Sequence, residues 1–173
     1  MRILALLAAV LVLAAPAAAA STPRFALYDL RDLAAASKND FGDVQASKRA
    51  PKAPEVVRCA AGCRFGAGWI GFRHAVGPTG AEVVSADVVG SAKRGFFLEV
   101  GLSARGAASW RSFARLEARR IKHAGVPDVL VVAVGGRVLA APYATDVRLV
   151  GSRLELYGFT RAGARAAASA LAG

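Results

Sequence analysis

The chain has 173 residues, 55% of them hydrophobic, enough for about one domain with a real core and no dependence on staples. Lys and Arg number 23 against 12 Asp and Glu, a net charge of +11. That balance speaks to solubility and to anionic partners, and it says nothing of the fold.

Residues 1–20, MRILALLAAVLVLAAPAAAA, read as a secretory leader. Arg2 supplies the positive start, Ile3 to Ala15 the apolar core, and Pro16 precedes a run of small residues. Ala18-x-Ala20 places cleavage between Ala20 and Ser21. The apolar core falls short of the roughly 20 residues that a bilayer span needs, and no later segment reaches that length. The expectation is an exported protein, periplasmic or extracellular, with no transmembrane span after cleavage. The mature chain has 153 residues and a charge of +10, because Arg2 leaves with the leader. For an exported protein nucleic acid is a poor partner; anionic lipid head groups, cell-wall polymers or acidic polypeptide are better ones. A composition bias toward Ala and Arg is the plainer reading of the same charge.

Residues 21–57 differ in composition from the remainder of the mature chain. FALYDLRDLAAA suits one or two turns of amphipathic helix, and Lys38 to Glu55, rich in charge, Ala and Pro, reads as a flexible linker. From Val56 to His74 a Gly-rich piece carries Trp69, Ile70 and Phe72 and predicts one strand, with a loop at Gly77-Pro78-Thr79-Gly80. It also holds both cysteines, Cys59 and Cys63. An even pair in an oxidising compartment reads first as a disulfide, with free thiols or a redox or metal pair as alternatives. The spacing is not C-x-x-C, Arg64 rather than His follows, and nothing places both His74 and His123 near the pair to complete a zinc site.

From Val83 the signals strengthen. EVVSADVV and GFFLEVGLS predict strands. Ala107, Trp110, Phe113, Ala114, Ala118 and Ile121 then fall at helical spacing, with Ser103 as N-cap and Gly125 and Pro127 as the stop. DVLVVAV and RVLAAPY predict two more strands, TDVRLV and RLELYGF another two around Gly151-Ser152, and Thr160 caps a closing Ala-rich helix. The pattern predicts an α+β fold: a mainly antiparallel sheet with two helices packed on one face, preceded by a flexible N-terminal segment. The domain runs over residues 58–173.

Three patterns bear on chemistry. Gly135-Gly136 lies between two apolar runs; a phosphate loop needs a helix after the glycines, so the pair predicts a two-residue hairpin turn instead. Arg111, Arg115, Arg119 and Lys122 recur at i, i+4, i+8 and i+11 opposite the apolar face. Such a stripe either meets an anionic surface or is an ordinary solvated helix face. Catalytic residues do not assemble: no nucleophile motif is present, acidic residues stand singly, and Asp128 and Asp146 read as turn residues bordering strands. No enzyme, metal or cofactor is expected.

The segments ADVVGSAKRGFFLEVGLSARGAASWRSF, VLVVAVGGRVLAAPYA and LELYGFTRAGARAAASALAG together resemble the head subdomain of the first periplasmic domain of SecD and SecDF proteins, accessory subunits of the bacterial Sec translocase. The likeness covers residues 83–173. It rests on Phe113, on Arg137 to Pro142, and on Gly158, Phe159 and Thr160 leading to Leu171 and Gly173. Gly163 and Ala164 stand where that family carries a Glu. The transmembrane motor has no counterpart, so the resemblance implies a head module alone: a non-enzymatic binder of secreted or unfolded polypeptide, or of another envelope protein. The alternative is a basic binder of anionic lipid or polysaccharide on the envelope surface.

Overall fold

The computed structural model describes residues 25–35, 37–38, 43–91 and 95–172. The leader, its cleavage point and Gly173 lie outside the described residues. Among the described residues no helix is long and apolar enough to cross a membrane.

The architecture is α+β, with the strands divided between two main sheets. The first contains β1 (Phe25–Asp29), β2 (Leu33–Ala35), β5 (Glu55–Cys59), β6 (Gly68–Phe72), β9 (Leu130–Val134) and β10 (Arg137–Ala140), in the order β1-β9-β10-β5-β6-β2. Its pairings are antiparallel except for β10 against β5. Between them in the chain, β3 (Ser37–Lys38) and β4 (Val44–Gln45) form a small ribbon. The second sheet is wholly antiparallel: β11 (Val147–Val150), β12 (Arg153–Phe159), β8 (Gly95–Leu102) and β7 (Val83–Ser91), in that order. Among the described residues two helices, α1 (Ala104–Ala124) and α2 (Arg161–Ala172), complete the fold.

The six-stranded sheet must curl. Its edge strands β1 and β2 are separated in the chain only by the 3₁₀ turn Leu30–Asp32. Six flat strands would hold their edges about 24 Å apart, whereas four peptide links reach about 15 Å at most. The curl encloses one core: Ala26, Tyr28, Val57, Ile70, Phe72 and Val131 are all buried inside it, with Tyr28 stacked on Phe72 at 4.6 Å between ring centroids. The alternate residues of β1 and β9 (Phe25, Leu27, Leu130, Val132 and Val134) face outward into a second core. There they meet Leu98 and Val100 of β8, Leu154 and Leu156 of β12, Trp110 and Phe113 of α1, and Ala164 and Ala167 of α2. Both helices therefore cover one face of the four-stranded sheet, and the opposite face is left uncovered by them.

Local signals explain most boundaries. The Ser103 side chain accepts from the Gly106 amide at 3.2 Å, and Gly125, at φ 73°, ends α1 with its N–H on the Ile121 carbonyl. The Thr160 hydroxyl accepts from the Gly163 amide at 3.1 Å and caps α2. Gly135 and Gly136, at φ 56° and 73°, are the two central residues of the turn joining β9 to β10.

Three expectations change. Phe25–Asp29 is a strand with all five residues buried, not a helical turn. Its two sides fill two different cores, so it lacks the alternation that marks a half-buried strand. Within the segment read as a linker, Ser47 exchanges backbone hydrogen bonds with Trp69, at 2.8 and 2.9 Å, which fastens that stretch to β6. Gly68 permits the approach: a Cβ there would stand 2.5 Å from the Ser47 carbonyl oxygen, and its φ of 151° disfavours any other residue. The piece from Val56 to His74 also contributes two strands rather than one, because β5 and β6 pair from Glu55–Phe72 to Cys59–Gly68.

Candidate functional site

The described residues bring three carboxylates together in the protein interior. Asp29 ends β1 on the side that faces α1, and is fully buried. Glu117 sits one turn beyond Phe113 on the buried face of α1, and Asp128 precedes β9; their exposures are 3% and 4%. One oxygen of each lies within 4.8 Å of the others. Isolated charges are not buried in this way without compensation.

Two arginines supply most of it. Arg120 Nη1 donates to Asp29 Oδ2 at 3.0 Å and stands 3.7 Å from Asp128 Oδ2 and 3.9 Å from Glu117 Oε2. It takes the place between the three groups that a bound cation would need. Arg31, from the turn after β1, pairs through Nε with Asp128 Oδ1, and its backbone N–H donates to Asp29 Oδ1 at 2.9 Å. The Asp128 backbone N–H donates to Glu117 Oε1 at 2.9 Å. The cluster thus ties the corner after β1, the C-terminal half of α1 and the turn into β9.

Compensation is incomplete. Among the described residues two guanidinium groups face three carboxylates, and Glu117 Oε2 and Asp128 Oδ2 have no hydrogen-bond partner. Burial, hydrogen bonding with Glu117 and the charges of Asp29 and Glu117 push the Asp128 carboxyl up to about 7, while Arg31 pulls it down. Two carboxylates are both acceptors, so a hydrogen bond between them requires that one carry a proton.

Acidic residues are therefore not all single: three of them converge, and Asp128 is a buried ion-pair partner rather than a plain turn residue. The signal for Glu117 was present as a charged residue within the helical stripe of Trp110, Phe113 and Ile121. Asp29 and Asp128 offered none, since only the pairing of β1 with β9 brings them together.

The other residues singled out from the sequence lie elsewhere. Cys59 and Cys63 are disulfide-bonded, at the end of β5 and in the loop beyond it. Arg111, Arg115, Arg119 and Lys122 lie along the outer side of α1, spanning about 16 Å of its length. Among the described residues none of the four has a carboxylate partner, whereas Arg105 and Arg120 on the same helix are paired. Gly135 and Gly136 stand at the far end of the β9–β10 hairpin, opposite the end that carries Asp128. The two histidines stay apart from the disulfide in role: His74 Nε2 lies 3.3 Å from Asp32 Oδ2, and His123 is exposed near the end of α1.

No family model, no curated protein and no solved structure matches this chain.

Proposed function

We propose that the protein is an exported, non-enzymatic binding module that contacts extended polypeptide in the cell envelope, the role that the likeness of residues 83–173 to SecD heads implies. The observation that carries this reading is the open edge of the four-stranded sheet. β7 runs for nine residues and pairs with β8 on one side, and no described strand pairs with its other side. Such an edge offers a row of backbone donors and acceptors, which an extended chain of almost any sequence can pair with. Val84 and Val89 on this strand are 69% and 37% exposed. On the uncovered face beside it, Phe97 stands across from Val89, and its ring centroid is 4.9 Å from that of Tyr157. The disulfide fits an oxidising compartment.

The test is binding of a reduced, carboxymethylated protein, which stays unfolded, followed by fluorescence anisotropy at about 0.3 M salt to screen the basic charge. Wild-type protein binds it and ignores the same protein in its native fold. Val84→Lys with Val89→Lys weakens binding by roughly tenfold, since charged edges resist strand addition. Absence of binding, or binding indifferent to these substitutions, contradicts the reading.

A second reading has its own observation, the unpaired stripe on α1. Each basic residue near an anionic membrane surface contributes about 1 kcal/mol. Replacing Arg111, Arg115 and Arg119 by Gln should therefore lower affinity for phosphatidylglycerol vesicles by roughly a hundredfold. Co-sedimentation in low and high salt checks this. Binding that survives either the substitutions or the salt removes the stripe from consideration.

A further inference from the structure

The buried cluster is one positive charge short, and its two unpartnered oxygens belong to neighbouring carboxyl groups. Glu117 Oε2 and Asp128 Oδ2 are both inside the protein, and neither receives a hydrogen bond from a described residue. A cation between the groups would have to displace Arg120 Nη1. A proton needs no such space: carried by the Asp128 carboxyl, which is hydrogen-bonded to that of Glu117, it removes the surplus charge. Among the described residues few charged groups face the pair. β1 presents Asp29, the turn after it presents Arg31, and α1 presents Arg120. On the side of the turn into β11, Glu117 lines a groove of about 150 Å³ together with Ala144, Thr145 and Val147, none of them charged. His74 is occupied by Asp32 on the same turn as Arg31.

We propose that Glu117 and Asp128 share a single proton in the folded protein, and that losing it loosens the C-terminal half of α1 from the corner after β1. The cluster is then a pH-sensitive latch. It lies beneath the half of α1 whose outer side carries Arg115, Arg119 and Lys122.

The direction of the response follows from linkage. Once the latch opens, the Asp128 carboxyl meets water and loses the burial and neighbouring charges that raise it. At mildly acidic pH the closed state keeps a proton that the open state has already released. Raising the pH through neutrality strips that proton from the closed state, which loses its advantage over the open one.

Hydrogen exchange of the amides at 117–124, corrected for intrinsic rate, reads the opening. The background carries His74→Gln and His123→Gln, so that no imidazole titrates. Protection should be roughly tenfold lower at pH 8 than at pH 6. Asp128→Asn, a neutral stand-in for the protonated acid, should hold the same protection at both pH values. Glu117→Gln serves the same purpose if that variant does not fold. Carbon-detected NMR of the side-chain carboxyls provides a check that needs no cluster variant: one of the pair should titrate in the neutral range. Titration of both groups below pH 5, or equal protection at pH 6 and pH 8, overturns the proposal.

Discussion

Replacing Arg120 with alanine is expected to lower the stability of the fold by about 3 kcal/mol, the low end of the range for breaking a buried ion pair. The low end applies because the guanidinium is 36% exposed, so water can take over part of its role. The loss arises from what remains. Asp29 is fully buried and keeps only the Arg31 amide, while Glu117 and Asp128 lose the positive charge standing 3.7 to 3.9 Å away. Lysine at this position should recover part of the loss, since a single ammonium reaches one carboxylate well but cannot span the group as a guanidinium does. Adding Asp128→Asn to Arg120→Ala should cost less than the two changes summed, because it removes one of the charges left stranded. Urea denaturation of wild type, the three single variants (Arg120→Ala, Arg120→Lys and Asp128→Asn) and the double variant measures these differences. An Arg120→Ala protein within about 0.5 kcal/mol of wild type would mean that the cluster does not hold the fold together.

Trp110→Ala is expected to cost about 4 kcal/mol, as large aromatic truncations in a packed core do. The side chain is 3% exposed, and its ring centroid lies 5.4 Å from that of Phe113 one turn on. It also packs over Gly77, where an added Cβ would come within 3.4 Å of its Cε3. The ring therefore joins α1 to the loop that returns toward β1, across the boundary between the two sheets. Phenylalanine, which fills part of the space, should recover more than half of the loss. A cost below about 1 kcal/mol for the alanine variant, again from urea denaturation, contradicts this placement of α1.

Much of the chain from Val83 onward was legible because its signals are local. α1 announces itself through Ser103, the spacing of Trp110 and Phe113, and Gly125; the β9–β10 turn does so through two adjacent glycines that both take positive φ. The disulfide needed only two cysteines four positions apart and a compartment. β1 was not legible, since a strand buried on both sides shows no alternation, and FALYDL also satisfies a helical spacing. The tether of Ser47 to Trp69 was hidden for another reason: it is made by backbone groups, so the charged, Pro-rich composition around it carries no trace of it.

The acidic cluster lies at the limit of such reading. Asp29 and Asp128 come from distant parts of the chain, and only the register of β1 against β9, with Asp29 opposite Leu130, sets them side by side. Glu117 alone left a mark in the sequence, as a charge in the middle of an apolar helix face. A buried acid in that position calls for a partner, and the partners were Arg120 on the same helix and the Asp128 amide beyond its end.

The proposal that β7 receives extended polypeptide is tested most directly by placing a photo-crosslinking amino acid at Val84, and in a second protein at Arg115 on the far-facing stripe of α1, and irradiating cells that export each. The edge-strand account predicts that the Val84 probe captures polypeptides of many sizes, well above a control exported protein, while the Arg115 probe captures few. Capture from Arg115 alone, or from neither position, contradicts it.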